Sequence, residues 1–142
     1  MLRLDVRMRT LLAAAVIGIA LAAPLAAGAA SPVQFRSPTG NIGCAYYNAA
    51  LRCDVRDGLV PRPPRPAGCP SFTDYGQGLS LNARGTSVVC AGDTALGAGS
   101  VLPYGRTWHR GSITCVSRST GFTCTNASGR GFYIARGVYR RF

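Results

Sequence analysis

Six cysteines and one histidine are the side chains of this 142-residue chain with the most reactive chemistry to offer. Cys44, Cys53, Cys69, Cys90, Cys115 and Cys124 could in principle hold a metal, supply a nucleophile or cross-link the chain. Spacing argues against metal, because there is no C-x-x-C pair and His109 is the only histidine, so neither a zinc knuckle nor a histidine cluster can be assembled. A catalytic thiol would need a partner base and freedom from oxidation. An even count in an exported chain points instead to three disulfides.

Six cysteines allow fifteen connectivities, but the spacing narrows them. Cys44 to Cys53 and Cys115 to Cys124 each enclose eight residues. If Asn48-Ala49 and Ser119-Thr120 are two-residue hairpin tips, counting outward places Tyr47 opposite Ala50, Tyr46 opposite Leu51 and Cys44 opposite Cys53. The same count sets Cys115 opposite Cys124. Both fall on non-hydrogen-bonded pairs, whose α-carbons lie about 4.5 Å apart, within disulfide range. Cys69 and Cys90 then pair by elimination.

Other catalytic signatures are missing: there is no G-x-S-x-G elbow, no H-E-x-x-H and no phosphate-binding glycine loop. His109 in YGRTWHRGS could act as a general base in a triad assembled in space, yet a lone histidine beside a tryptophan is more often a surface or packing residue. No enzyme activity and no cofactor are expected. Asn126-Ala127-Ser128 has the form of a glycosylation sequon.

The charge gives a different lead. All 16 basic residues are arginines. Thirteen of them follow residue 30, against Asp54, Asp57, Asp74 and Asp93, a net charge of about +9 that attracts anions over a Debye length. The densest cluster is GRGFYIARGVYRRF, in which Arg130, Arg136, Arg140 and Arg141 alternate with Phe132, Tyr133, Tyr139 and Phe142. Arginines and the rings of Tyr133 and Tyr139 together form a candidate anion-binding surface. The plainer reading is a final strand whose aromatics fill the core while its arginines are solvated.

Residues 1–30 bear on compartment. Arg3, Arg7 and Arg9 precede an apolar run from Leu11 to Leu21, and Pro24 leads into Ala26-Ala27-Gly28-Ala29-Ala30, the layout of a cleavable secretory signal peptide. An uncleaved anchor is the rival, since Thr10 to Ala30 carries no charge. Residues 31–142 then form one secreted domain, extracellular or associated with the cell wall.

Positioning the cysteines falls to short strands. Leu79–Asn82 and Thr86–Cys90 flank Arg84-Gly85, Ile113–Ser117 and Gly121–Thr125 make the second stapled hairpin, and Gly131–Ala135 offers one more strand. Pro61 to Pro66 must be an extended surface connection. No segment after residue 30 keeps a helical apolar period, and Asp93-Thr94-Ala95-Leu96 is the single place where a helical turn is expected. The fold class predicted is all-β, a small antiparallel sandwich or barrel built from stapled hairpins.

FRSPTGNIGC, LRCDV, CAGDT, LPYG, ITCVSRSTGFTCTN and GRGFYIARGVY, in this order, resemble a family of small secreted actinobacterial proteins of uncharacterised function. The resemblance spans nearly all of residues 31–142 and implies export and paired cysteines. It implies no catalytic residue. The function expected is that of a secreted, monomeric binding module for an anionic envelope polymer or lipid surface. A protein-directed inhibitor or host-interaction factor is the alternative, and a hydrolase using His109 the third reading. No nucleic-acid motif is present.

Overall fold

A computed structural model describes Ala23 and residues 31–142. The signal-peptide reading and its anchor rival thus lie outside the described residues, Ala23 apart. Eleven strands and no helix are present among them. The first sheet contains β1 (Val33–Arg36), β2 (Ile42–Tyr47), β3 (Ala50–Val55), β4 (Tyr75–Asn82), β5 (Gly85–Cys90) and β6 (Ser100–Val101), in the order β5-β4-β3-β2-β1-β6. The second contains β7 (Thr107–Arg110), β8 (Ile113–Arg118), β9 (Gly121–Thr125), β10 (Gly131–Ala135) and β11 (Val138–Arg141), ordered β11-β10-β9-β8-β7. All pairings are antiparallel except β1 with β6. Chain order therefore fills one sheet and then the other, with no strand shared between them to close a barrel.

Alternation along the strands produces the core. Leu51, Leu79 and Leu81 from one sheet meet Ile113, Phe122, Phe132 and Ile134 from the other, all fully buried. Trp108 on β7 covers one margin, stacking 4.6 Å from Phe35 on β1 and 5.6 Å edge-on from Tyr46 on β2.

The hairpin count holds residue for residue. Cys44 faces Cys53 and Cys115 faces Cys124, each with a Cα–Cα distance of 4.1 Å and each bonded. Cys69 and Cys90 form the third disulfide, with Cα atoms 5.9 Å apart. The two tips differ, however. Asn48 (φ 48°) and Ala49 (φ 58°) are both left-handed, the pairing a type I′ turn requires. Ser119 and Thr120 are not, and Gly121 takes the positive φ of 147° instead. An alanine in the left-handed region costs about 1 kcal/mol, more than glycine's extra chain entropy. Ala49→Gly is therefore expected to stabilise the protein by about 0.5 kcal/mol, read as a higher urea midpoint at unchanged slope. A lower midpoint would contradict the type I′ assignment.

Two expectations need correction. GRGFYIARGVYRRF is a hairpin, β10 and β11 turning at Arg136-Gly137, and not one final strand. Asp93–Leu96 forms no helical turn. Its polar groups are used elsewhere: the Thr94 hydroxyl accepts from Leu96 N at 3.1 Å, and Ala95 N donates across the sheet to Asp54 Oδ2 at 2.8 Å. These bonds replace the ladder a helix would have needed. The segment lies flat because a Cβ on Gly43 of β2 would overlap the Ala95 backbone.

Asp54, on β3, is fully buried beneath that segment. In register it stands between Gly43 on β2 and Gly78 on β4. Neither neighbour has a side chain, so the carboxylate occupies a shallow bay that residues 94–95 roof over. Arg52 closes it with two bonds, Nε to Oδ1 at 2.9 Å and Nη2 to Oδ2 at 2.7 Å, and reaches Asp93 Oδ1 through Nη1 at 2.6 Å. Desolvation pulls the Arg52 pKa down, but its bonds to Asp54 and Asp93 outweigh this and leave it above its ordinary value. The same guanidinium holds the Asp93 carboxyl below its usual 3.8. The Asp93 contribution to stability is thus fully present above about pH 4 and is lost as pH falls through its lower folded value. Because Asp93 is exposed, that contribution is at most about 1 kcal/mol. Asp93→Asn should flatten acid unfolding below pH 4 by that amount, and an unchanged acid limb would refute the pairing.

The proline-rich connection is pinned as well. Val60–Pro61 is cis, Leu59 and Pro63 are buried, and the Arg62 and Arg65 guanidiniums each lie 4.3 Å from the Tyr75 ring. Arg65 Nη1 also donates to the carbonyls of Pro70 at 2.7 Å and Thr73 at 2.8 Å.

Candidate functional site

Every side-chain carboxylate of residues 31–142 is engaged by an arginine. Asp54 and Asp93 pair with Arg52, Asp74 with Arg62 at 3.1 Å, and Asp57 with Arg136 at 2.8 Å. Arg136, one of the four arginines expected to bind anions, is thereby partly neutralised at the tip of the β10–β11 hairpin. The remaining three divide between two faces. On β11, Arg141 is opposite Phe132 and Arg140 opposite Tyr133. Phe132 points into the core, so Arg141 emerges at its open end. Arg140 lies on the outer face, with its guanidinium carbon 5.0 Å from the Tyr133 ring centre. Tyr133 donates its hydroxyl to the Thr120 carbonyl, and Tyr139 packs against the core. The sequence cluster is therefore not a single surface.

Arg130 and Arg141 meet a third arginine that the sequence reading did not include. Arg84 is at the tip of the β4–β5 hairpin, where Asn82 Oδ1 accepts from Arg84 N at 2.8 Å and Gly85 N at 3.3 Å. Asn126, in the β9–β10 connection, joins this tip to the second sheet. Its Nδ2 donates to the carbonyls of Asn82 at 2.9 Å and Ala83 at 3.3 Å, while Oδ1 accepts from Ser128 N at 2.9 Å and Arg130 N at 3.1 Å. Arg130 Nη1 in turn donates to the Arg84 carbonyl at 3.0 Å, and the Thr86 hydroxyl to the Gly131 carbonyl at 2.9 Å. Phe142 is fixed alongside by a pair of backbone bonds with Gly131, at 2.8 and 3.0 Å.

The result is an open furrow of about 660 Å³ between the sheets, lined by Arg84, Arg130, Arg141, Thr86, Ser87 and Phe142 among others. No side-chain carboxylate lines it. Three guanidiniums and the Ser87 hydroxyl can receive an anionic group through charge-assisted hydrogen bonds, with the half-exposed Phe142 ring beside it for an apolar portion. Arg84 escaped sequence reasoning because it stands 46 positions from Arg130. The turn around Arg84-Gly85 was legible, and its contact with the second sheet was not.

The bonds of Asn126 also work against use of the sequon. The side-chain nitrogen, the atom glycosylation would modify, is part-buried and donates to two carbonyls. Expression in a glycosylating host is expected to leave Asn126 unmodified in the folded protein, by intact mass. Asn126→Ala should lower stability by about 1–2 kcal/mol, as it removes the partner of four part-buried backbone groups. Full glycan occupancy of a folded product would refute this placement.

His109, on β7, is exposed, with Nδ1 2.9 Å from the Thr114 hydroxyl on β8. Among the described residues, no group of three His, Cys, Asp or Glu side chains is placed to hold a metal ion, and no helix is long and apolar enough to cross a membrane. Three disulfides are the usual signature of an oxidising, extracytoplasmic compartment.

No curated protein and no solved structure matches the chain. One family model does, over residues 15–142, and it takes in every strand and all three disulfides. The chain belongs to that family, described as a family of unknown function (DUF6636).

Proposed function

We propose that the protein is exported and works as a disulfide-stabilised binding module, holding an anionic partner from the cell envelope or the extracellular medium in the arginine-lined furrow. The observation that carries this reading is the convergence of Arg84, Arg130 and Arg141 on one concave surface without a side-chain carboxylate. Three like charges on one concave surface raise the local positive potential and favour an anion shared between them. The secretory layout of residues 1–30 and the three disulfides support the compartment.

Retention on immobilised heparin, used as a general polyanion, tests the reading. The wild-type chain should be held at low salt and elute in a salt-dependent manner. The variant carrying Arg84→Ala, Arg130→Ala and Arg141→Ala should elute much earlier than one carrying Arg106→Ala, Arg110→Ala and Arg118→Ala. Equal elution of the two variants would refute the furrow as the site.

A further inference from the structure

The two sheets leave four edges: β5 and β6 in the first, β7 and β11 in the second. Exposed edges invite pairing with other chains, and brevity and charge are the usual protection. β6 has two residues, β7 contains Arg110, and β11 contains Arg140 and Arg141. β5 is the exception. Its six residues, Gly-Thr-Ser-Val-Val-Cys, include no charge and no proline.

Register shows which backbone groups that edge offers. Asn82 pairs with Gly85, Leu81 with Thr86, Ser80 with Ser87 and Leu79 with Val88. A two-residue hairpin closes on a hydrogen-bonded pair, so Gly85 and Ser87 turn their N–H and C=O groups toward β4. Those of Thr86 and Val88 point to the open side. That side is the furrow, which continues past Arg84 and Arg141 along Thr86, Ser87 and Val88 to a second hollow of about 370 Å³ walled by Pro63, Pro64, Arg65 and Pro66. The prolines have no N–H to offer, and no backbone hydrogen bond joins their segment to β5 among the described residues.

We infer that β5 is a docking edge for an extended acidic polypeptide segment, which adds to the first sheet as a further strand. Its backbone pairs with Thr86 and Val88 while its carboxylates meet Arg84, Arg130 and Arg141 at one end and Arg65 at the other. This rests on the furrow being the anion site and names the class of partner. A strand repeats every two residues, about 6.7 Å, and so matches the spacing of the free groups on β5. A sulfated sugar or a polyphosphate could satisfy the arginines but would leave this edge unpaired. A second copy of the chain would set arginines against arginines.

Two probes separate backbone pairing from charge. One is a ten-residue peptide alternating Glu with Thr or Val, and the other is the same peptide N-methylated at every residue, equal in charge but unable to donate backbone bonds. Binding to isotopically labelled protein spanning residues 31–142 is followed by amide exchange at low salt. The unmethylated peptide should bind at least ten-fold more tightly and slow exchange at the Thr86 and Val88 amides, leaving that of Ser87 unchanged. Equal binding of the two peptides, or protection elsewhere, overturns the edge proposal. Heparin retention with no peptide binding also overturns it while leaving the furrow reading intact, whereas failure of both ligands removes both. Slowed Thr86 and Val88 exchange that grows with protein concentration, without peptide, would identify a second copy as the occupant and overturn it likewise.

Discussion

Asp54→Ala should lose about 3–4 kcal/mol of unfolding free energy in urea, a cost comparable to truncating a core leucine. The residue is fully buried and accepts from Arg52 twice, from Ala95 N at 2.8 Å and from the Thr94 hydroxyl at 3.3 Å. Removing the carboxylate leaves the Ala95 N–H orphaned and a half-buried guanidinium with only the exposed Asp93 for a partner. Breaking a buried pair from one side costs about 3–5 kcal/mol, and the partial exposure of Arg52 places this case toward the lower end. Asp54→Asn keeps an acceptor for Ala95 while losing the charge, so it should cost about half as much. Amide exchange should localise the damage, with Ala95 protection lost first. A loss below about 1 kcal/mol for Asp54→Ala would mean that residues 94–95 are held by something other than this carboxylate.

The second large effect separates a disulfide buried in the core from the one at its margin. Chain entropy alone ranks Cys69–Cys90 highest, because it spans 21 positions against 9 for each hairpin staple. Packing ranks them the other way. Cys115 and Cys124 are fully buried in the core beside Phe122 and Phe132, whereas Cys69 and Cys90 are only partly covered. The two entropy values, each about 3 kcal/mol, differ by less than the cost of a cavity left by two core sulfurs. Cys115→Ala with Cys124→Ala should therefore cost about 4–5 kcal/mol, and Cys69→Ala with Cys90→Ala about 2–3 kcal/mol, by urea unfolding. The reverse ranking would show that loop closure and not core packing governs what the staples contribute. Against a typical total of about 5–15 kcal/mol, loss of the core staple leaves little margin.

Much of the fold could be read from the chain because two constraints coincide at the stapled hairpins. Eight residues between cysteines and a side-chain period of two fix the register of β2 with β3 and of β8 with β9 without further information. β1, β6 and β7 lack such a constraint. Val33–Arg36 and Thr107–Arg110 are four residues each, too short for alternation to register, and Ser100–Val101 is a strand only because β1 lies beside it. In the sequence Asp54 enters only the charge count. Its burial depends on glycines from two neighbouring strands, a coincidence of register with no local signature. The furrow was half legible for the same reason: Arg130 and Arg141 lie in one cluster, while Arg84 joins them through the bonds of Asn126 to a distant turn. Arg136 and Arg140, adjacent in the same cluster, were separated from them by the Asp57 pair and by the pleat of β11.

Placement of an anion in the furrow can be measured directly by titrating isotopically labelled protein with a short heparin oligosaccharide and following the backbone amides and arginine Nε–H signals. The resonances of Arg84, Arg130 and Arg141 should shift together, saturate with one affinity and return on raising salt, while those of Arg106, Arg110 and Arg118 stay in place. Shifts spread evenly over the exposed arginines, or centred away from these three, would contradict the furrow as the binding site.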